Sequence, residues 1–222
     1  MIRDWVIDLL TLADEDWARY AFSLDPLIGK VSPPQRAEHH QKTVANAVEL
    51  ARGLREEHGP GSPADYAAQL GVNLVFRSED PGDGLRMFAS YEEPDTITVF
   101  VENAGAADRL IAEKGLSALL GDVPAVDVLV AHELYHFLEW KIPGVYSAQK
   151  HLSLWKIGPL ENRSRILCLE EIGAMAFAQA LTGLRCPAYI FEVILLYAQN
   201  PRKAEALYRH FMNLKSTGKA PA

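Results

Sequence analysis

Five residues, His132-Glu133-Leu134-Tyr135-His136, constrain this 222-residue chain more than any other stretch. They lie inside the apolar run 126–140, and no Gly or Pro interrupts residues 125–142. On a helix, side chains four apart stack one turn above the other, with Cβ atoms about 5–6 Å apart. Two imidazoles so placed can share one zinc ion through ring nitrogens at about 2.0–2.1 Å. The glutamate beside the first histidine then stands where it can take a proton from an attacking water. This is the His-Glu-x-x-His pattern of zinc metallopeptidases. At average residue usage a chain of this length shows it by chance in about one case in a hundred, so the surroundings must decide.

The surroundings predict the helix that the pattern needs, over residues 123–141, with Asp127 near its N-terminus. Val128, Ala131, Leu134, Tyr135 and Leu138 fall at i, i+3, i+4 spacing and form a stripe suited to a core. His132 and His136 fall on a different stripe, with Leu129 and Trp140.

A net charge of −7 argues against broad electrostatic binding to nucleic acid or to an anionic membrane. The apolar stretch 190–198 contains Glu192 and is far shorter than the ~20 residues a spanning helix needs. It reads as core or as a subunit interface. Asp4, Asp8, Asp14 and Asp16 interrupt the N-terminal apolar residues, unlike a secretory signal. Cys168 and Cys186, the only cysteines, read as reduced core thiols. Together these predict a cytoplasmic protein. His39-His40 reads as a solvated pair, and Arg202, Lys203 and Arg209 as a helix face rather than a nucleic-acid patch.

Periodicity and punctuation predict a mostly helical α+β fold. Helix is expected within 4–24, then over 35–57 after the start signal Ser32-Pro33-Pro34, and over a short segment opened by Ser62-Pro63-Ala64-Asp65 and ended by Gly71. Strands are expected at 72–77, 85–91 and 96–101, with turns at Pro81-Gly82-Asp83-Gly84 and Glu93-Pro94-Asp95. Such tightly linked strands predict a three-stranded antiparallel meander packed on the motif helix. Helices are expected again at 106–120, 123–141, 159–181, 187–199 and 201–214. Residues 144–158 read as irregular and 216–222 as a disordered tail. The chain divides into an N-terminal helical region (1–61), a core (62–183) and C-terminal helices (184–222), joined in one compact unit.

A catalytic zinc site needs a third protein ligand and an open position. The loop-histidine form of the pattern is excluded, because Phe137-Leu138-Glu139-Trp140-Lys141-Ile142 follows His136. The alternative is a glutamate on a second helix. Glu171 is the favoured candidate, since it shares a face with Ala174, Ala178 and Leu181, whose small side chains allow close helix packing. Glu170 is the alternative, because periodicity alone does not set the helix rotation. Tyr146 and His151, between the two ligand helices, are candidates for stabilising a developing oxyanion.

Strands, a helix with His132, Glu133 and His136, then a helix with Glu171, Ala174, Phe177 and Ala178 resemble the ImmA/IrrE family of small gluzincin peptidases. The run Ala67-Ala68-Gln69-Leu70-Gly71-Val72 resembles that family too, and the likeness spans residues 62–183. Three features differ. Tyr135 stands where the family has glycine, Met175 where Asn or Asp is common, and Leu181-Thr182-Gly183 replaces a Leu-Leu-Met-Pro ending. The resemblance implies a minimal gluzincin-like core, Zn2+ as cofactor, and a peptide or protein substrate, such as a regulatory protein. In that setting Glu133 acts as general base, and the strand at 96–101 is the edge that pairs with extended substrate. A zinc-binding regulatory or interaction module with little hydrolysis, and hydrolysis of a non-peptide bond, are the competing expectations.

Overall fold

Two helices open the chain, α1 (Ile2–Leu9) and α2 (Asp14–Ser23). The computed structural model describes residues 1–78, 88–158 and 160–215. The expected turn at Pro81-Gly82-Asp83-Gly84, residues 85–87 of the expected second strand, and the tail 216–222 lie outside the described residues. Both Ser-Pro signals start helices. Ser32 and Gln35 form a capping box at α3 (Pro33–His58), and Ser62 and Asp65 form one at α4 (Pro63–Gln69). In each, the side chain three residues on accepts the serine N–H, satisfying a donor that the helix leaves free.

Three strands follow: β1 (Asn73–Arg77), β2 (Ala89–Glu92) and β3 (Thr96–Phe100). Their order is β1-β3-β2, with β1 parallel and β2 antiparallel to β3. The sheet is therefore mixed, and the expected antiparallel meander is incorrect. Burial explains the order. Thr-Ile-Thr-Val-Phe is the most apolar and β-branched of the three, and Ile97, Thr98 and Val99 are all buried. A strand buried on both faces belongs in the centre, and β1 and β2, half exposed, take the edges.

Next come α5 (Val101–Glu113), α6 (Ser117–Leu120) and the motif helix α7 (Ala125–Lys141). The helix expected at 106–120 is thus two elements. A single turn, α8 (Tyr146–Gln149), precedes a hairpin of β4 (His151–Ile157) and β5 (Leu160–Arg165). This hairpin corrects the reading of 144–158 as irregular and of 159–181 as one helix. Leu152 and Leu154 alternate with more exposed neighbours at the two-residue period of a strand, and Gly158, at φ +59°, turns the chain. Helix α9 starts at Cys168 and runs to Thr182. Two helices, α10 (Tyr189–Gln199) and α11 (Pro201–Leu214), end the described fold.

The main core takes residues from all three segments of the chain, from Ile2 and Leu9 through Leu134 and Phe177 to Ile194 and Phe211. All five predicted core positions of α7 are buried. Each large one stabilises the fold by about 1.5–3 kcal/mol through burial. Helix α10 contributes Ile190, Phe191, Val193, Ile194 and Leu195 to this core. No single helix among the described residues is long and apolar enough to cross a membrane. Both cysteines are free and buried, and burial pushes the Cys186 thiol up to about 12.

The tightest approach in the core sets α7 against α9. Tyr135 is fully buried, and its hydroxyl lies 2.7 Å from Ser147 Oγ. Its ring lies on the backbone of Gly173: a Cβ there would sit 2.1 Å from the tyrosine oxygen and 2.2 Å from Cζ. Gly173→Ala should therefore destabilise the protein by about 1–3 kcal/mol or more through overpacking. In a Tyr135→Ala background the same change should become neutral or stabilising, because alanine is the better helix former. Urea unfolding of the four proteins in this cycle measures both outcomes.

Candidate metal centre

Helix α7 delivers two imidazoles and α9 delivers a carboxylate. The N-terminus of α7 is held by Asp108 of α5, whose Oδ1 accepts the Ala125 N–H at 2.8 Å. The N-terminus of α9 is held from far away in sequence: Asp25 Oδ2 accepts the Cys168 N–H at 2.9 Å. Asp25 is itself buried and braced by the Leu27 N–H. At the other end of α9, Arg55 of α3 donates to the carbonyls of Ala180 and Leu181. Rotation and height of α9 are thus fixed from three sides, including Tyr135.

The result is a compact donor set. His132 Nε2 and His136 Nε2 lie 3.3 Å apart. Glu171 Oε2 lies 3.4 Å from the first and Oε1 3.7 Å from the second. Tetrahedral ligands at about 2.0–2.1 Å from a zinc ion are separated by about 3.3 Å. Two imidazole nitrogens and one carboxylate therefore fit zinc in both identity and spacing. The imidazole side chains are 16% and 17% exposed, while that of Glu171 is 56% exposed, so the set is reachable from one side.

Electrostatics agree. Burial pulls the His132 pKa down, but the hydrogen bond and charge of Glu171, with the charges of Glu133 and Glu192, outweigh it and raise the value to about 9. Burial raises that of Glu171, and the hydrogen bond from His132 with the charges of both histidines outweighs it, lowering the value to about 2. The cluster is built to hold positive charge.

Glu170 has a different fate. Arg165, at the end of β5, forms an ion pair with Glu170 Oε1 at 2.8 Å and donates to Glu139 Oε1 at 3.4 Å. Glu139 Oε2 lies 4.0 Å from His136 Nδ1, too long for a hydrogen bond but near enough to act by charge. His136, Glu139 and Glu170 could by spacing hold a second cation, but the Arg165 guanidinium already occupies that role. Periodicity could not separate Glu170 from Glu171, and the partner on β5 does.

Glu133 is 9% exposed and borders two cavities. One, of about 230 Å³, is lined by His132, Glu171, Met175 and apolar residues of α7 and α10, with Glu192 in its wall. The other, of about 350 Å³, is lined by Tyr91, His136, Glu139 and Arg165 among others. Strand β2 runs alongside both, with Ala89 at the first and Tyr91 at the second. Among the described residues it has one neighbour in the sheet, β3, and its other edge meets no strand. The expectation that 96–101 is the edge is incorrect, because β3 has strands on both sides.

Tyr146 and His151 are placed elsewhere. The Tyr146 hydroxyl lies 2.9 Å from His39 Nδ1, and its ring packs in a second, smaller core. His39 is thus engaged rather than simply solvated. His151 is exposed, with Nδ1 3.0 Å from the Gln149 carbonyl. Neither residue lines either cavity.

Glu192 was the residue least visible in the sequence as part of a site. Its Oε2 accepts the Tyr20 hydroxyl at 2.9 Å, and burial pushes its pKa up to about 7. Its one signal was being the lone charge in an apolar helix. A larger cavity, about 950 Å³ between α2 and α3, brings together no cluster of ligating atoms among the described residues.

Elemental analysis of purified protein tests the donor set. His136→Ala and Glu171→Ala should lose bound zinc, while Glu170→Ala should retain it. No family model, curated protein or solved structure matches this chain.

Proposed function

We propose that the chain is a zinc-dependent metallopeptidase of the gluzincin type that hydrolyses peptide bonds of a protein substrate. The observation that carries this reading is the convergence of His132, His136 and Glu171, within 3.3–3.7 Å, beside Glu133. The resemblance to the ImmA/IrrE family, in residue order and in ligand type, supports it.

His132 and His136 from one helix and Glu171 from a second would hold the ion. When bound, zinc supplies Lewis-acid chemistry, polarising a carbonyl and making water a better nucleophile. The chain's own residues do the rest. Glu133 neighbours a ligand in sequence and borders both cavities. It takes the proton of the attacking water and passes it to the leaving amine. The outer edge of β2, which meets no other strand among the described residues, runs past both cavities and would offer its backbone groups to an extended peptide. Substrate lying along it would have side chains directed towards the cavities on either side of Glu133.

Retention of the glutamate between the histidines favours chemistry over a purely structural metal. Glu133→Gln should keep its zinc and lose cleavage of a quenched fluorescent peptide library by 100-fold or more, on the order expected for loss of a general base. Equal cleavage by variant and native protein would sink this reading.

A further inference from the structure

The smaller cavity beside the donor set has a composition that water alone does not explain. Its volume, about 230 Å³, exceeds the ~30 Å³ share of one water and falls below the ~300–1,000 Å³ of pockets for drug-sized ligands. It has room for one side chain. Val128, Leu129, Met175, Phe191 and Leu195 give it an apolar wall, and Glu192 stands in that wall.

Glu192 is the one charged residue of α10. Glu192 is half-buried, and a carboxylate withdrawn from water is costly unless it is paired and hydrogen-bonded. Here a neutral hydroxyl, that of Tyr20, is the hydrogen-bond partner shown, His132 acts on Glu192 through charge alone, and no lysine or arginine pairs with it among the described residues. Glutamine would accept the tyrosine hydrogen bond at lower cost. Glu192 is also not part of the cluster whose ligating atoms lie within 4.8 Å of one another, so it is not placed as a ligand beside Glu171.

We propose, resting on the zinc peptidase reading, that this cavity is a specificity pocket for a cationic substrate side chain, lysine or arginine. The methylene stem lies along the apolar wall, as long basic side chains do when they cross apolar surface. The ammonium or guanidinium reaches Glu192 and supplies the missing charge-assisted hydrogen bond.

Hydroxamates test this without requiring turnover, because the hydroxamate anchors on zinc and the side chain reports on the pocket. Binding of Nα-acetyl-lysine hydroxamate and Nα-acetyl-norleucine hydroxamate to the full zinc-loaded chain is measured by calorimetry. Zinc content is determined alongside. The lysine compound should bind about 10-fold more tightly, the effect of one hydrogen bond to a charged group, and Glu192→Gln should abolish that preference. Equal binding to the native protein overturns the proposal while leaving the metal centre standing. So does a preference that survives in Glu192→Gln. Tighter binding of norleucine hydroxamate with a free α-amine, without any gain from lysine, overturns it too, by putting an α-ammonium at Glu192. Protein without zinc removes the peptidase reading and this pocket with it.

Discussion

A tyrosine ring lying on a glycine backbone governs this structure. Tyr135 neighbours His136 on α7, and Gly173 lies two residues beyond Glu171 on α9. Whatever fixes the first pair fixes the second. The ring occupies the volume of the missing Cβ, and its hydroxyl is tied to Ser147, so neither rotation nor sliding of α9 is free. The donor triangle follows from that packing. The resemblance noted in the sequence assigns glycine to the position of Tyr135. Here the small residue of this contact, Gly173, sits on the opposite helix.

Charge is sorted with equal economy of residues. Adjacent glutamates on α9 meet different partners: Glu170 pairs with Arg165, which Glu139 shares, and Glu171 faces the imidazoles. Both carboxylates are reached by the same nitrogen, Nη2, of the Arg165 guanidinium. Placing it on β5 gives the hairpin a part in the site, since it keeps the acidic side of His136 from attracting a cation of its own.

Much of this was legible before any coordinates. Helix α7, its core stripe, both Ser-Pro caps and the last two helices follow from local periodicity and capping chemistry, which act over a few residues. The small residues that share its face point to Glu171. Strand order was not legible, because pairing is decided by relative burial of β1, β2 and β3, a property of the whole sheet. The hairpin at 151–165 was missed because its alternation is weak and Gly158-Pro159 resembles a helix start as much as a turn. Arg165 and Asp25 reach across 26 and 143 positions, distances over which a single sequence carries no pairing signal. Chain position alone suggests Tyr146 and His151, and it carries no information on their neighbours, His39 and the Gln149 carbonyl.

Asp25 and Arg55 grip the two ends of α9 from within residues 1–61. The helical third at the start of the chain is therefore scaffold rather than appendage. A fragment trimmed to the motif-bearing region would keep the imidazoles yet strip the helix carrying their carboxylate of Asp25 at one end and Arg55 at the other. The smallest unit able to present all three donors together extends well upstream of the stretch that resembles known enzymes.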